Sequence, residues 1–104
     1  MTTSKRAAEH LQKSIELITG DRNQDYGDAK LNFDHTAAMW SAYLGIQLLG
    51  SDVAAMMSQF KQSRHKCGGY KADNGHDAGG YTGLWAALTE FENNNKKNRI
   101  INKK

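Results

Sequence analysis

Apolar positions recur along this chain at helical spacing, and no stretch alternates apolar and polar residues as a half-buried strand would. Near the N-terminus Ala7, Ala8, Leu11, Ile15 and Ile18 fall on one side. They predict a first helix from about Ser4 to Thr19, with Ser4 as its N-cap and Gly20 just past its end. Glu9 and Lys13 stand four apart in the order that favours an ion pair on a helix. Residues 20–27 then read Gly-Asp-Arg-Asn-Gln-Asp-Tyr-Gly, which is turn chemistry and richer in hydrogen-bonding groups than a simple connector needs. Asp28 caps a second helix. Leu31, Ala38, Tyr43 and Leu44 mark its apolar side, Met39 and Trp40 stand beside them, and Gly45 stops it. The apolar connector from Ile46 to Gly50 is expected to be buried.

Ser51 or Asp52 opens a third helix, with Val53, Met56, Met57 and Phe60 on one side. Lys61, Arg64 and Cys67 continue it at three-residue spacing, and Gly68-Gly69 ends it. A fourth helix opens at Asp73 or Asn74. Its signal is the cleanest in the chain: Asp77, Tyr81, Leu84, Leu88 and Phe91 recur at alternating intervals of four and three, with Trp85 alongside. Gly75, Gly79 and Gly83 repeat every four residues on another face. A glycine costs about 1 kcal/mol in a helix interior, so three in register predict a close helix–helix approach, read here as self-association into a symmetric dimer. The periodicity ends near Glu92. The expected fold is therefore all-α: a single four-helix domain over residues 1–92, a self-associating bundle, followed by a basic, disordered tail over 93–104.

Composition narrows the class. A chain of 104 residues suits one domain, and 38% apolar with 24% charged residues is globular rather than disordered. The longest unbroken apolar runs, Val53 to Met57 and Leu84 to Leu88, fall far short of the about 20 residues a membrane span needs, so no membrane partner is expected. No apolar leader opens the chain, and a lone Cys67 cannot form an internal disulfide, which suits a reducing cytoplasm. The formal charge of +3 hides a split. Five of the fourteen cations (Lys96, Lys97, Arg99, Lys103 and Lys104) lie in the tail, leaving nine against eleven acids, so the body carries −2. Nucleic acid is thus expected to be bound only through the tail, if at all.

No P-loop, dinucleotide fingerprint, H-E-x-x-H or C-x-x-C pair is present. His65, Cys67 and His76 lack the usual zinc spacing, so no zinc is expected. Cys67 stands at the negative end of a helix dipole, which disfavours a thiolate, and reads as a packing residue. Asp73 and Asp77 are one turn apart, and two readings stand for them. They hold a hard cation such as Mg²⁺ through few carboxylates and many waters. Alternatively, Asn74 and Asp77 form a capping pair at the positive end of the fourth helix. Lys61 and Arg64 project one turn apart, Arg22 lies in the polar turn, and Lys71 directly precedes the fourth helix. Brought together, these cations and carboxylates suit a metal-bridged phosphate or, equally, an internal salt-bridge network.

One resemblance adds to this reading. Asp21-Arg22, Tyr26-Gly27, Asn32-Phe33, Trp40, Asp52-Val53-Ala54, Met56, Lys61, Arg64, Lys71-Ala72-Asp73-Asn74, Asp77 and Gly80-Tyr81 occur in an order that resembles a family of small phage and prophage proteins of unknown function. The likeness covers about residues 11–90. More distantly the chain is similar to MazG-type nucleoside triphosphate pyrophosphatases, helical bundles that dimerise and bind nucleotide with Mg²⁺. The resemblance implies a homodimeric accessory protein of the host cell cytoplasm that binds a nucleotide or nucleotide-derived signal. Arg22, Tyr26, Lys61, Arg64 and Lys71 would contact the ligand and its phosphate, and Asp73 and Asp77 would hold Mg²⁺. The dense glutamate motif of the MazG type has no counterpart, since the first helix has only Glu9 and Glu16 and the second only Asp28 and Asp34. Binding rather than catalysis is the expectation. A protein inhibitor of a host factor or defence system is the alternative, and a weak MazG-like hydrolase the third reading.

Overall fold

The computed structural model describes residues 2–20 and 28–102. Arg22 and Tyr26 lie outside the described residues. Among these residues there are four helices and no strand: α1 (Thr3–Thr19), α2 (Ala29–Leu44), α3 (Gly50–Cys67) and α4 (Ala72–Asn102). The all-α, four-helix reading of the periodicity holds. None of the described helices is long and apolar enough to cross a membrane.

The helix ends follow local chemistry, with shifts of a residue or two. Thr2, not Ser4, caps α1: its hydroxyl accepts the Lys5 N–H at 3.2 Å. The ion pairs on α1 are Arg6–Glu9 and Lys13–Glu16, each three residues apart, so Glu9 does not pair with Lys13. Asp28 caps α2 as expected, accepting the Lys30 N–H at 2.8 Å. Gly45 ends it at φ 74°, where a side chain would be strained, and donates its N–H to the Ser41 carbonyl. α3 opens at Gly50 rather than at Ser51 or Asp52, and Asp52 instead accepts the Leu49 N–H at 2.8 Å. Gly50 is buried against α2, where a Cβ would stand 2.6 Å from an Asp34 carboxylate oxygen. The connector before it is not buried. Ile46 is 59% exposed and Leu49 45% exposed, because Ser41 draws the Leu48 backbone back onto the end of α2 (2.8 Å).

α3 and α4 run antiparallel and form the most extensive helix pair. Ser58 donates to the Ala78 carbonyl (3.0 Å) and Ser51 meets Glu92, so the two helices are zipped along their length. α2 packs on α3, and Phe33, Ala37, Val53, Ala54 and Leu88 form the core, with Trp40, Met57, Tyr81 and Leu84 against it. Phe33 meets Tyr81 edge to face at 6.1 Å. Phe60 and Phe91, expected on the core side, are each about half exposed. Ala37 and Ala54 are among the most fully covered residues of this core.

α1 lies parallel to α4. The glycine face of α4 meets α1 of the same chain: a Cβ on Gly79 would run into the Ser14 hydroxyl, and one on Gly80 would stand 3.1 Å from Ile18. The partner of this face is therefore intramolecular at Gly79, and not the second copy the spacing predicted. Gly75 faces open space. The interface is completed by Ser14, which donates to the His76 carbonyl (2.8 Å), and by His10 Nδ1 and His76 Nε2, which share a hydrogen bond of 2.8 Å.

Candidate functional site

The last turns of α3 and the first turns of α4 are joined by residues 68–71, with Gly69 at φ 82° turning the chain back. This reversal sets the two helix ends side by side around a cleft of about 550 Å³. Lys61, Arg64 and Lys71 line it together with Asp73 and Asp77, and Cys67, Gly68 and Asn74 complete the wall. Five of the seven residues singled out in the sequence thus share one cleft. The other two, Arg22 and Tyr26, fall outside the described residues.

The Ser58 contacts to Ala78 and Thr82 fix the register of α3 on α4, and one turn further Lys61 lies over Asp77. Their Nζ–Oδ2 distance is 3.1 Å, with only 17% and 21% of the side chains exposed. Arg64, the next cation along the same face, carries its guanidinium carbon 5.7 Å from the centre of the Phe60 ring. Neither Arg64 nor Lys71 forms an ion pair among the described residues. Asp73 is almost fully exposed, with one oxygen 3.8 Å from His76 Nδ1. Three cations thus face two carboxylates, and with Lys61 and Asp77 neutralising each other the mouth keeps a cationic excess.

The helix start changes the reading of Asn74. α4 begins at Ala72, the Asn74 N–H donates to the Lys71 carbonyl at 3.1 Å, and Asn74 itself lies inside the helix. Asp77 spends its carboxylate on Lys61 rather than in a capping pair. Cys67 is exposed, not packed in a core. His65 does not line the cleft and meets Tyr70 edge to face at 5.6 Å. Among the described residues no group of three His, Cys, Asp or Glu side chains is gathered as a metal cluster. The His10–His76 bond and the Ser51–Glu92 contact, which join positions 66 and 41 apart, had no signal in the sequence because nothing local marks such partners.

Residues 9–89 match the family described as a domain of unknown function, DUF6378. The chain belongs to this family. The DUF6378 region takes in every residue of the cleft. Over 75 residues the chain is 44% identical to the Gene 55 protein of Mycobacterium phage L5, covering 71% of this chain and 48% of that relative. Over 80 residues it is 38% identical to the Gene 55 protein of Mycobacterium phage D29, covering 77% and 53%. The chain spans about half the length of the curated relatives it matches. No solved structure matches. These relatives place the chain among small phage and prophage proteins; none of the matches is to a MazG-type enzyme.

Proposed function

We propose that this DUF6378 protein is a cytoplasmic phage or prophage accessory protein that binds a nucleotide or nucleotide-derived signal in the α3–α4 cleft. The observation that supports this is the convergence of Lys61, Arg64 and Lys71 with two carboxylates around about 550 Å³, a volume within the range of small-molecule sites. Arg64 offers a planar fork of donors suited to phosphate, and Lys71 adds a mobile point charge. The N-terminus of α4 opens at the same cleft and favours an anion through its dipole. Lys61 holds Asp77, and any Mg²⁺ would enter with the phosphate and be held by Asp73 and Asp77 through water. Arg22 and Tyr26, which lie outside the described residues, complete the proposed set of ligand contacts. The test is a thermal-shift panel of nucleotides with and without Mg²⁺. A ligand at 100 times its Kd stabilises by about 2.7 kcal/mol, and each kcal/mol raises Tm by about 4–8 °C in a domain of this size. A flat panel sinks this reading.

A second reading, an inhibitor of a host protein, draws support from uncovered apolar side chains on α1, where Leu11 is 57% and Ile15 48% exposed. It predicts a flat nucleotide panel and a host protein whose binding is lost in Leu11→Glu. Hydrolysis of the MazG kind asks more of the site. Asp77 would have to leave Lys61 to serve a metal that activates water, and pyrophosphate release from a nucleoside triphosphate would be its direct assay.

A further inference from the structure

The face that α3 turns to the cleft is not charged throughout. At 100° per residue Cys67, Phe60, Arg64 and Lys61 follow one another around the helix within an arc of about 120°. Cys67, Arg64 and Lys61 line the cleft. Phe60 falls between Cys67 and Arg64 in that arc, one turn back from Arg64 toward the middle of the helix. Its ring is not taken into the core: the residue is 52% exposed.

Arg64 joins this ring to the cleft. It is part of the cleft wall, and its guanidinium carbon lies 5.7 Å from the centre of the Phe60 ring, inside the about 6 Å over which a ring face holds a cation. Among the described residues no ion pair holds Arg64. A guanidinium on an exposed ring is held more weakly than one on a phosphate oxygen, which adds a charge-assisted hydrogen bond. A phosphate in the cleft therefore draws Arg64 off the ring and frees an aromatic face beside itself. The group that covers such a face best is another flat aromatic, and a nucleobase is one. Base and phosphate of a nucleotide are joined through a single sugar. The ring that takes the base must then stand within a side chain's reach of the cation that takes the phosphate, and Phe60 does. Tyr70, the exposed aromatic of the reversal, instead meets His65, which is not part of the cleft wall.

We propose that Phe60 is the base-binding residue of the cleft: Arg64 and Lys71 take the phosphate, and the nucleobase stacks on the Phe60 ring. The ligand class is then a nucleotide and not a bare phosphate or a sugar phosphate. This rests on the reading of the cleft as a phosphate site. Every base has a π-face, so the stack selects for the presence of a base rather than for its identity.

Calorimetry on the intact chain with probes matched in their phosphates tests it: ribose 5-phosphate against nucleoside 5′-monophosphates, and inorganic triphosphate against nucleoside triphosphates, all with Mg²⁺. The base-bearing probe should bind about 5–150-fold more tightly than its match, the range for one stacked base. Phe60→Ala should erase that ratio and Phe60→Trp should keep it. Arg64→Ala should weaken both members of a pair and leave the ratio in place. In the unmodified chain the Phe60 ring resonances should move on adding the nucleotide and stay in place with ribose 5-phosphate, a readout that requires no variant to fold. Equal affinity within the pairs, a ratio that survives Phe60→Ala, or unmoved ring resonances overturns the role of Phe60 while the cleft still binds phosphate. If no probe binds, the phosphate reading of the cleft falls and this proposal with it.

Discussion

Arg64 and Asp77 line the same cleft but differ in what they do for the apo fold. Arg64 rests its guanidinium near a half-exposed Phe60 and forms no ion pair among the described residues, so Arg64→Ala should leave the apo melting curve nearly unchanged. If the cleft holds phosphate, the same variant should weaken nucleotide binding by about 1.5–3 kcal/mol in calorimetry, the range for a charge-assisted hydrogen bond. Asp77→Asn leaves a largely covered Lys61 without its counter-charge. It should lower apo stability by about 1–2 kcal/mol, between the values for exposed and buried pairs, and remove any Mg²⁺ dependence of binding. Glu92 has a different role. It accepts from the Ser51 N–H (3.0 Å) and hydroxyl (2.5 Å) at the start of α3, where Leu49 offers no capping oxygen of its own. Glu92→Ala should therefore cost about 1.5–3 kcal/mol in chemical denaturation, and Glu92→Gln less, since an amide oxygen can still accept. Lys30 is the contrasting case. The hydrogen bond to Asp34, then its charge, holds this ammonium above its ordinary 10.5. A raised pKa stabilises the fold below the unfolded value and is lost only as pH climbs through the folded one, so Lys30 adds no pH dependence near neutrality.

Among the elements, α4 carries the clearest contrast. Gly75 and Gly79 share one periodicity, yet only Gly79 lies against α1. Gly75→Ala should stabilise by up to about 1 kcal/mol, because a Cβ meets nothing there and alanine favours the helix. Gly79→Ala should destabilise by about 1–3 kcal/mol despite the same propensity gain, because its Cβ displaces Ser14 and disturbs the bond to the His76 carbonyl. Paired thermal melts would show the two shifts with opposite sign. Equal stabilisation by both would mean that α1 does not dock at Gly79.

At the scale of the molecule the chain is long for its size. Its radius of gyration is 16.0 Å, against about 13 Å for a compact domain of 100 residues. α4 alone, 31 residues long, spans roughly 46 Å. The helix passes Glu92, the point at which the apolar periodicity stops. We propose that residues beyond 93 are dispensable for folding, so deleting 94–104 while keeping Glu92 should leave Tm nearly unchanged. A loss of many degrees would mean that Ile100 and Ile101 dock. The same truncation should abolish any nucleic-acid binding, which in the intact chain should fall steeply with salt as lysine and arginine contacts release counterions.

The four helices of the described residues and most of their ends could be read from the sequence. A 3.6-residue apolar period needs only neighbours along one helix, and Asp28, Gly45 and the Gly68-Gly69 stop act within a turn of where they stand. The cleft was legible for a related reason. Lys61 and Arg64 end one helix, Lys71, Asp73 and Asp77 begin the next, and a short reversal turns nearness in sequence into nearness in space. The tertiary structure decided what each group does there. It gave Asp77 to Lys61 rather than to a cap, Gly79 to α1 rather than to a second copy, and the start of α3 to Glu92. It left Phe60, Phe91 and the connector at Ile46 open to solvent. Those outcomes depend on which helix lies against which and in what register. Contacts across tens of residues set that register, and no local pattern records them.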